Sequence, residues 1–171
     1  MGRIKAVTLL VSFAVVIAGC TSTYKPPLDI HAAPYVLPNI SGSGDPVRIA
    51  DTTDPNAIVT SRGGSITFNS NLSQYSAALI ASLERELAKN GFKISQDASK
   101  EIDIAVIDVE MAFPKKFRCD MNVRIVIEGK VIGIATDSEP NHSDSKAINA
   151  SIADAVRRII SNEEVLTYLI R

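Results

Sequence analysis

The chain has 171 residues, with 18 Lys and Arg against 19 Asp and Glu, a formal net charge of −1, an aromatic content of 5% and no Trp. That balance excludes a strongly basic surface for nucleic acid or another polyanion, and it leaves few aromatic platforms for sugars or single-stranded bases. The length suffices for one domain with a core of its own.

Arg3 and Lys5 form a basic head, Ala6 to Ile17 an uncharged apolar run, and Ala18-Gly19 a pair of small residues before Cys20. This order predicts a secretory signal over residues 1–19. The apolar run is about a dozen residues, short of the ~20 that a membrane-spanning helix requires. The Ala18-Gly19-Cys20 close resembles the lipobox of bacterial lipoproteins, with Ile17 where that motif most often has leucine. The resemblance implies cleavage before Cys20, a diacylglycerol thioether on its sulfur and an acyl group on its freed amine. Cys20 is therefore the candidate lipid-attachment site, and several acyl chains hold a protein on a membrane durably where one does not. Thr21 is not the aspartate that resembles an inner-membrane retention signal, so the expected location is the outer membrane, facing the periplasm of a Gram-negative cell. With Cys20 acylated, Cys119 is the one remaining thiol and no internal disulfide can form.

Residues 20–46 read as a lipidated cysteine followed by a tether. Pro26, Pro27, Pro34, Pro38 and Pro46 with Ser41-Gly42-Ser43-Gly44 cannot make a helix or a central strand. Fully extended, such a segment would reach ~80 Å. Ile30, Tyr35, Val36 and Leu37 are apolar enough to dock part of it on the domain.

Residues 47–171 predict a single domain. Val47 to Asp51 is a short strand, and Ile58-Val59-Thr60 with Ser65 to Phe68 forms a hairpin across Arg62-Gly63-Gly64. Leu72, Tyr75, Leu79, Leu83 and Leu87 keep the spacing of one buried helix face over residues 71–89, capped by Ser70 or Asn71 and ended by Asn90-Gly91. Phe92 to Ile94 reads as a short strand. Ile102 to Phe113 is a long strand expected to place Ala105, Ile107, Val109, Met111 and Phe113 on one face and Asp108 and Glu110 on the other. After a turn at Pro114-Lys115-Lys116, Phe117, Cys119, Met121, Val123, Ile125 and Ile127 alternate with Arg118, Asp120, Asn122 and Arg124, the pattern of a half-buried antiparallel strand. Glu128-Gly129 turns into Val131 to Thr136. A helix near residues 145–160 buries Ile148, Ile152, Ala155, Val156 and Ile159, with Ser161-Asn162 set to interrupt it before a last turn or two. The expected fold class is α+β: an antiparallel sheet, solvated on one face, with two amphipathic helices packed on the other and a Pro-rich tether in front.

The candidate chemistry is sparse. His31 and His142 have no neighbouring ligands at metal spacing, no Gly-x-Ser-x-Gly elbow occurs, and Gly63-Gly64 lacks the spacing of a dinucleotide site. The sequence thus predicts no catalytic residue, no cofactor and no metal. Asp108 and Glu110 share a strand face and form the one carboxylate pair suited to acid/base work, although such positions are more often a solvated face. Cys119 is in phase with Phe117 and Met121 and reads as core. Lys115, Lys116 and Arg118, and Arg157 with Arg158, are small basic clusters that read as ordinary surface or as contacts for anionic lipid heads or a partner.

Beyond the lipobox, Lys25-Pro26-Pro27, Ile30, Pro34 and Leu37-Pro38, the leucine-striped helix ending in Gly91-Phe92, and Ile152-Ala153-Asp154-Ala155-Val156 resemble the YajG-like family of bacterial outer-membrane lipoproteins. The resemblance implies a small sheet with two helices and carries over no catalytic residues. The leading functional expectation is a non-enzymatic, membrane-anchored module that binds an envelope protein through its sheet face or an edge strand. The alternatives are a carrier of a small apolar ligand or lipid, and a homo-oligomer paired through strand edges.

Overall fold

The computed structural model describes residues 20–23, 26, 45–63, 66–113 and 115–171, and the expected signal with most of the expected tether lies outside them. Seven strands and three helices follow in order: β1 (Cys20–Thr23), β2 (Val47–Asp51), β3 (Ile58–Gly63), β4 (Ile66–Asn71), α1 (Leu72–Lys89), β5 (Lys100–Ala112), β6 (Arg118–Ile127), β7 (Lys130–Ala135), α2 (Asp144–Ile160) and α3 (Glu163–Ile170) among the described residues. The strands make a four-stranded sheet, β2-β5-β6-β7, and a three-stranded sheet, β1-β4-β3. Pairing is antiparallel except between β1 and β4 and between β2 and β5. The α+β class holds, with parallel pairs at two sheet edges and a third helix beyond the expectation.

The helices form where their stripes and caps direct. Asn71 accepts from the Ser73 amide at 3.1 Å to open α1, whose Leu72, Tyr75, Leu79, Leu83 and Leu87 are all buried. Gly91 at φ 83° takes the left-handed turn that ends it, as the Phe92 amide bonds back to Leu87. Ser143 caps α2, and Asn162 accepts from the Glu164 and Val165 amides, so Ser161-Asn162 ends α2 and starts α3 afresh. Tyr168 fastens α3 to β5: its hydroxyl accepts from the Glu101 amide at 2.9 Å, and its ring lies 5.5 Å from the Lys100 ammonium.

In β6, Cys119, Met121, Val123, Ile125 and Ile127 point into the core while Asp120, Asn122 and Arg124 point away, as the alternation requires. The helices cover the inward face. Phe92 to Ile94 is no strand; it contributes one isolated bridge, Val47 with Ile94.

β5 departs from its expected phase. Val106 pairs with Val123 and Asp108 with Asn122, leaving Ile107 as the extra residue of a bulge. Ile102, Ile104 and Val106 face the core before it, Val109 and Met111 after it, and Ile107 is 53% exposed rather than buried. The bulge marks a change of neighbour. Ahead of it β5 pairs with β2; beyond it β5 lies against β3, where the Met111 amide donates to Ser61 Oγ at 3.0 Å and Gly63 packs on Phe113. Side-chain hydroxyls complete the ladder wherever a neighbouring strand stops: Thr53 accepts from the Val106 amide, Thr136 from Met121 and Ser138 from Cys119.

Candidate functional site

The register gives the domain two distinct ends. Cys20 lies beside Ile66, Ile66 pairs with Gly63 across the β3–β4 turn, and Gly63 abuts Phe113 at the end of β5. Phe117 joins the same end through paired bonds to Asn141, 2.8 and 2.7 Å long. At the opposite end lie the Glu128-Gly129 turn, with φ of 51° and 79°, and α3. The 10 residues of β6 set the two ends about 30 Å apart.

Cys20 therefore opens a strand, β1. Lys115, Lys116 and Arg118 come to its end of the molecule. Arg118 is engaged there, bonding Asp120 at 2.7 Å and Asp137 at 2.5 Å. Arg157 and Arg158 both bind Asp154, so the second basic cluster is engaged on its own helix, one carboxylate shared between two guanidinium groups.

Burial alone would raise the Asp154 carboxyl, but hydrogen bonds from Arg157 and Arg158 outweigh it and hold the group below the ordinary carboxylate range. A depressed carboxylate contributes stability above its unfolded value and loses it as pH falls through the folded value. Asp154→Asn is accordingly expected to destabilise the domain near neutrality and to leave it close to wild type at pH values below the carboxylate range. Urea midpoints at the two pH values check this, and an equal loss at both would refute it.

The remaining candidates stay apart. Asp108, half-buried, and Glu110, exposed, do share the outward face, opposite Asn122 and Asp120, with no histidine beside them in the register. Cys119 is fully buried, and burial pushes its thiol up to about 12, as fits a packing residue. His142 is exposed in the loop before α2, and His31 lies outside the described residues. Among the described residues no group of three or more His, Cys, Asp or Glu side chains is placed to hold a metal ion. The space enclosed beside Phe68, Tyr75, Met111 and Ile148 is ≈ 10 Å³, too small for an acyl chain.

The feature sequence reasoning missed is at the far end. A cleft of ≈ 490 Å³ has Ile127 and Ile132 in its wall and is bridged by Lys130–Glu164 at 2.8 Å and Glu128–Arg171 at 3.1 Å. Beside it runs β7, the last strand of its sheet, with Val131 63% exposed. Lys130 is its one charged residue, it has neither proline nor bulge, and among the described residues its outer amides and carbonyls have no strand partner. The run Val131-Ile132-Gly133-Ile134-Ala135 was visible in the sequence, but its place at the margin was not.

No family model and no curated protein matches this sequence. Among solved structures, a Xanthomonas campestris protein of the family DUF330 is similar, with 13% identity over 87% of this chain and 96% of that one and a TM-score of 0.49. An uncharacterised protein is similar at 14% identity, over 82% of this chain and 96% of that one, with a TM-score of 0.39.

Proposed function

We propose that the chain is a lipid-anchored, non-enzymatic accessory module of the outer membrane, of the kind its resemblance to YajG-like lipoproteins implies, and that it binds an extended segment of another envelope protein along β7. The β7 edge carries this reading: among the described residues its outer backbone groups have no strand partner, and the Ile127–Ile132 cleft beside it can receive a side chain of an added strand. The place of the cleft and of the Lys130 end of β7 at the end of the sheet opposite Cys20, about 30 Å away along β6, supports the reading further, because an acylated Cys20 would leave that end turned toward the periplasm.

Two measurements test the parts separately. The N-terminal peptide of the purified protein is expected to begin at Cys20 and to carry diacylglycerol and an acyl group; an unmodified Cys20 would remove the anchor. A photo-crosslinker at position 131 is expected to trap one other envelope protein in cells. Adducts only with a second copy would reassign the edge to self-assembly, and no adduct at all would dismiss it as an interface.

A further inference from the structure

Because β1 begins at Cys20 itself, no flexible residues lie between a lipid on that cysteine and the folded sheet. An anchor at Cys20 would therefore press one particular end of the domain against the head groups. That end carries the β5–β6 turn, where Lys115 and Lys116 are exposed, and the end of β3, where Arg62 is exposed. None of the three makes an ion pair among the described residues, whereas Arg118, Arg157 and Arg158 are all engaged by carboxylates.

The turn also has a shaped surface. An open groove of ≈ 760 Å³ is lined by Ala112, Lys115, Lys116, Arg118, Glu139 and Pro140. Ala112 and Pro140 give it an apolar floor, and Glu139 is its one acidic group. Behind it the Phe113 and Phe117 rings stack at 4.3 Å, with Phe117 edge-on to Phe68 at 6.2 Å, so the turn is braced. A cationic rim over small apolar surface suits a phosphodiester head group and the first carbons of its glycerol.

We propose that this end is a second membrane contact, in which Lys115 and Lys116 bind the phosphates of anionic phospholipids in the leaflet that holds Cys20. The proposal rests on acylation of Cys20 for its orientation.

The test uses the intact purified protein on vesicles of phosphatidylcholine, with and without phosphatidylglycerol, treated with an amine-reactive label that is mapped by mass. Lys115 and Lys116 are expected to react about fivefold more slowly where phosphatidylglycerol is present. Lys130, at the far end, should react equally on both, and high salt should abolish the protection. Equal reactivity of Lys115 and Lys116 on the two vesicles overturns the proposal. Failure of the anchor reads differently, as loss of flotation with phosphatidylcholine vesicles. In that case flotation with phosphatidylglycerol vesicles, abolished by K115Q/K116Q, still upholds the basic contact; flotation with neither overturns both.

Discussion

Ile125→Ala is expected to lower the stability of the domain by about 2–5 kcal/mol. Ile125 is fully buried in β6, with Ile104 opposite it on β5 and Ile132 on β7, and the helices close over the same face. Truncation removes apolar surface that folding hides and leaves a void, because both strand neighbours are held by ladder bonds and cannot collapse into it. Urea unfolding should show a lower midpoint with an unchanged slope. The comparison is Ile58→Ala, at a position 63% exposed, where the change should stay within about 0.5 kcal/mol. Equal effects at the two positions would contradict the placement of the core.

The second large effect is expected at Gly63. A Cβ there would stand 2.7 Å from the Phe113 amide nitrogen and 2.8 Å from its Cβ, so the clash is with backbone that cannot swing aside. Gly63→Ala should therefore cost about 1–3 kcal/mol through overpacking, and it should loosen the end of the molecule that carries Cys20, because β3 meets β5 there. Gly133→Ala is the control. Nothing lies within 4 Å of its added methyl, and replacing a strand glycine by alanine should stabilise by roughly 0.5–1 kcal/mol. Thermal midpoints of the two variants, with hydrogen exchange at the Met111 amide, measure both. A Gly63→Ala protein as stable as Gly133→Ala would mean that β3 and β5 do not approach as described.

Much of this fold was legible because its signals are local. The five-residue stripe of α1, the alternation through β6 and the Glu128-Gly129 turn depend on residues a few positions apart, and each forms as expected. The bulge was hidden for a physical reason. Ala105, Ile107, Val109 and Met111 continue an unbroken period of two, and nothing in that run says that β5 changes neighbour from β2 to β3 midway. Hydroxyls told equally little in sequence. Thr53, Ser61, Thr136 and Ser138 look like loop or surface residues until a strand edge stands beside them needing an acceptor. Cys119 was legible as core, and the structure adds that burial suppresses its thiolate.

The candidate site divides along the same line. The basic head, apolar run and small residues before Cys20 form a contiguous pattern, so the expected chemistry of that cysteine could be read from the chain alone. Which surface goes with it could not. Lys115 lies 95 positions from Cys20, yet the two share an end because Cys20 pairs beside Ile66 and Gly63 beside Phe113. The place of β7 as the last strand of its sheet among the described residues is likewise a property of sheet order rather than of the residues in it. By itself, then, the sequence determined most of the elements and the buried faces of α1, α2 and β6, and it carried the pattern behind the expected lipid on Cys20, all of which are short-range signals. Only the tertiary structure decided which end of the sheet accompanies that cysteine and which strand stands last in its sheet among the described residues, because both depend on pairing between strands distant along the chain.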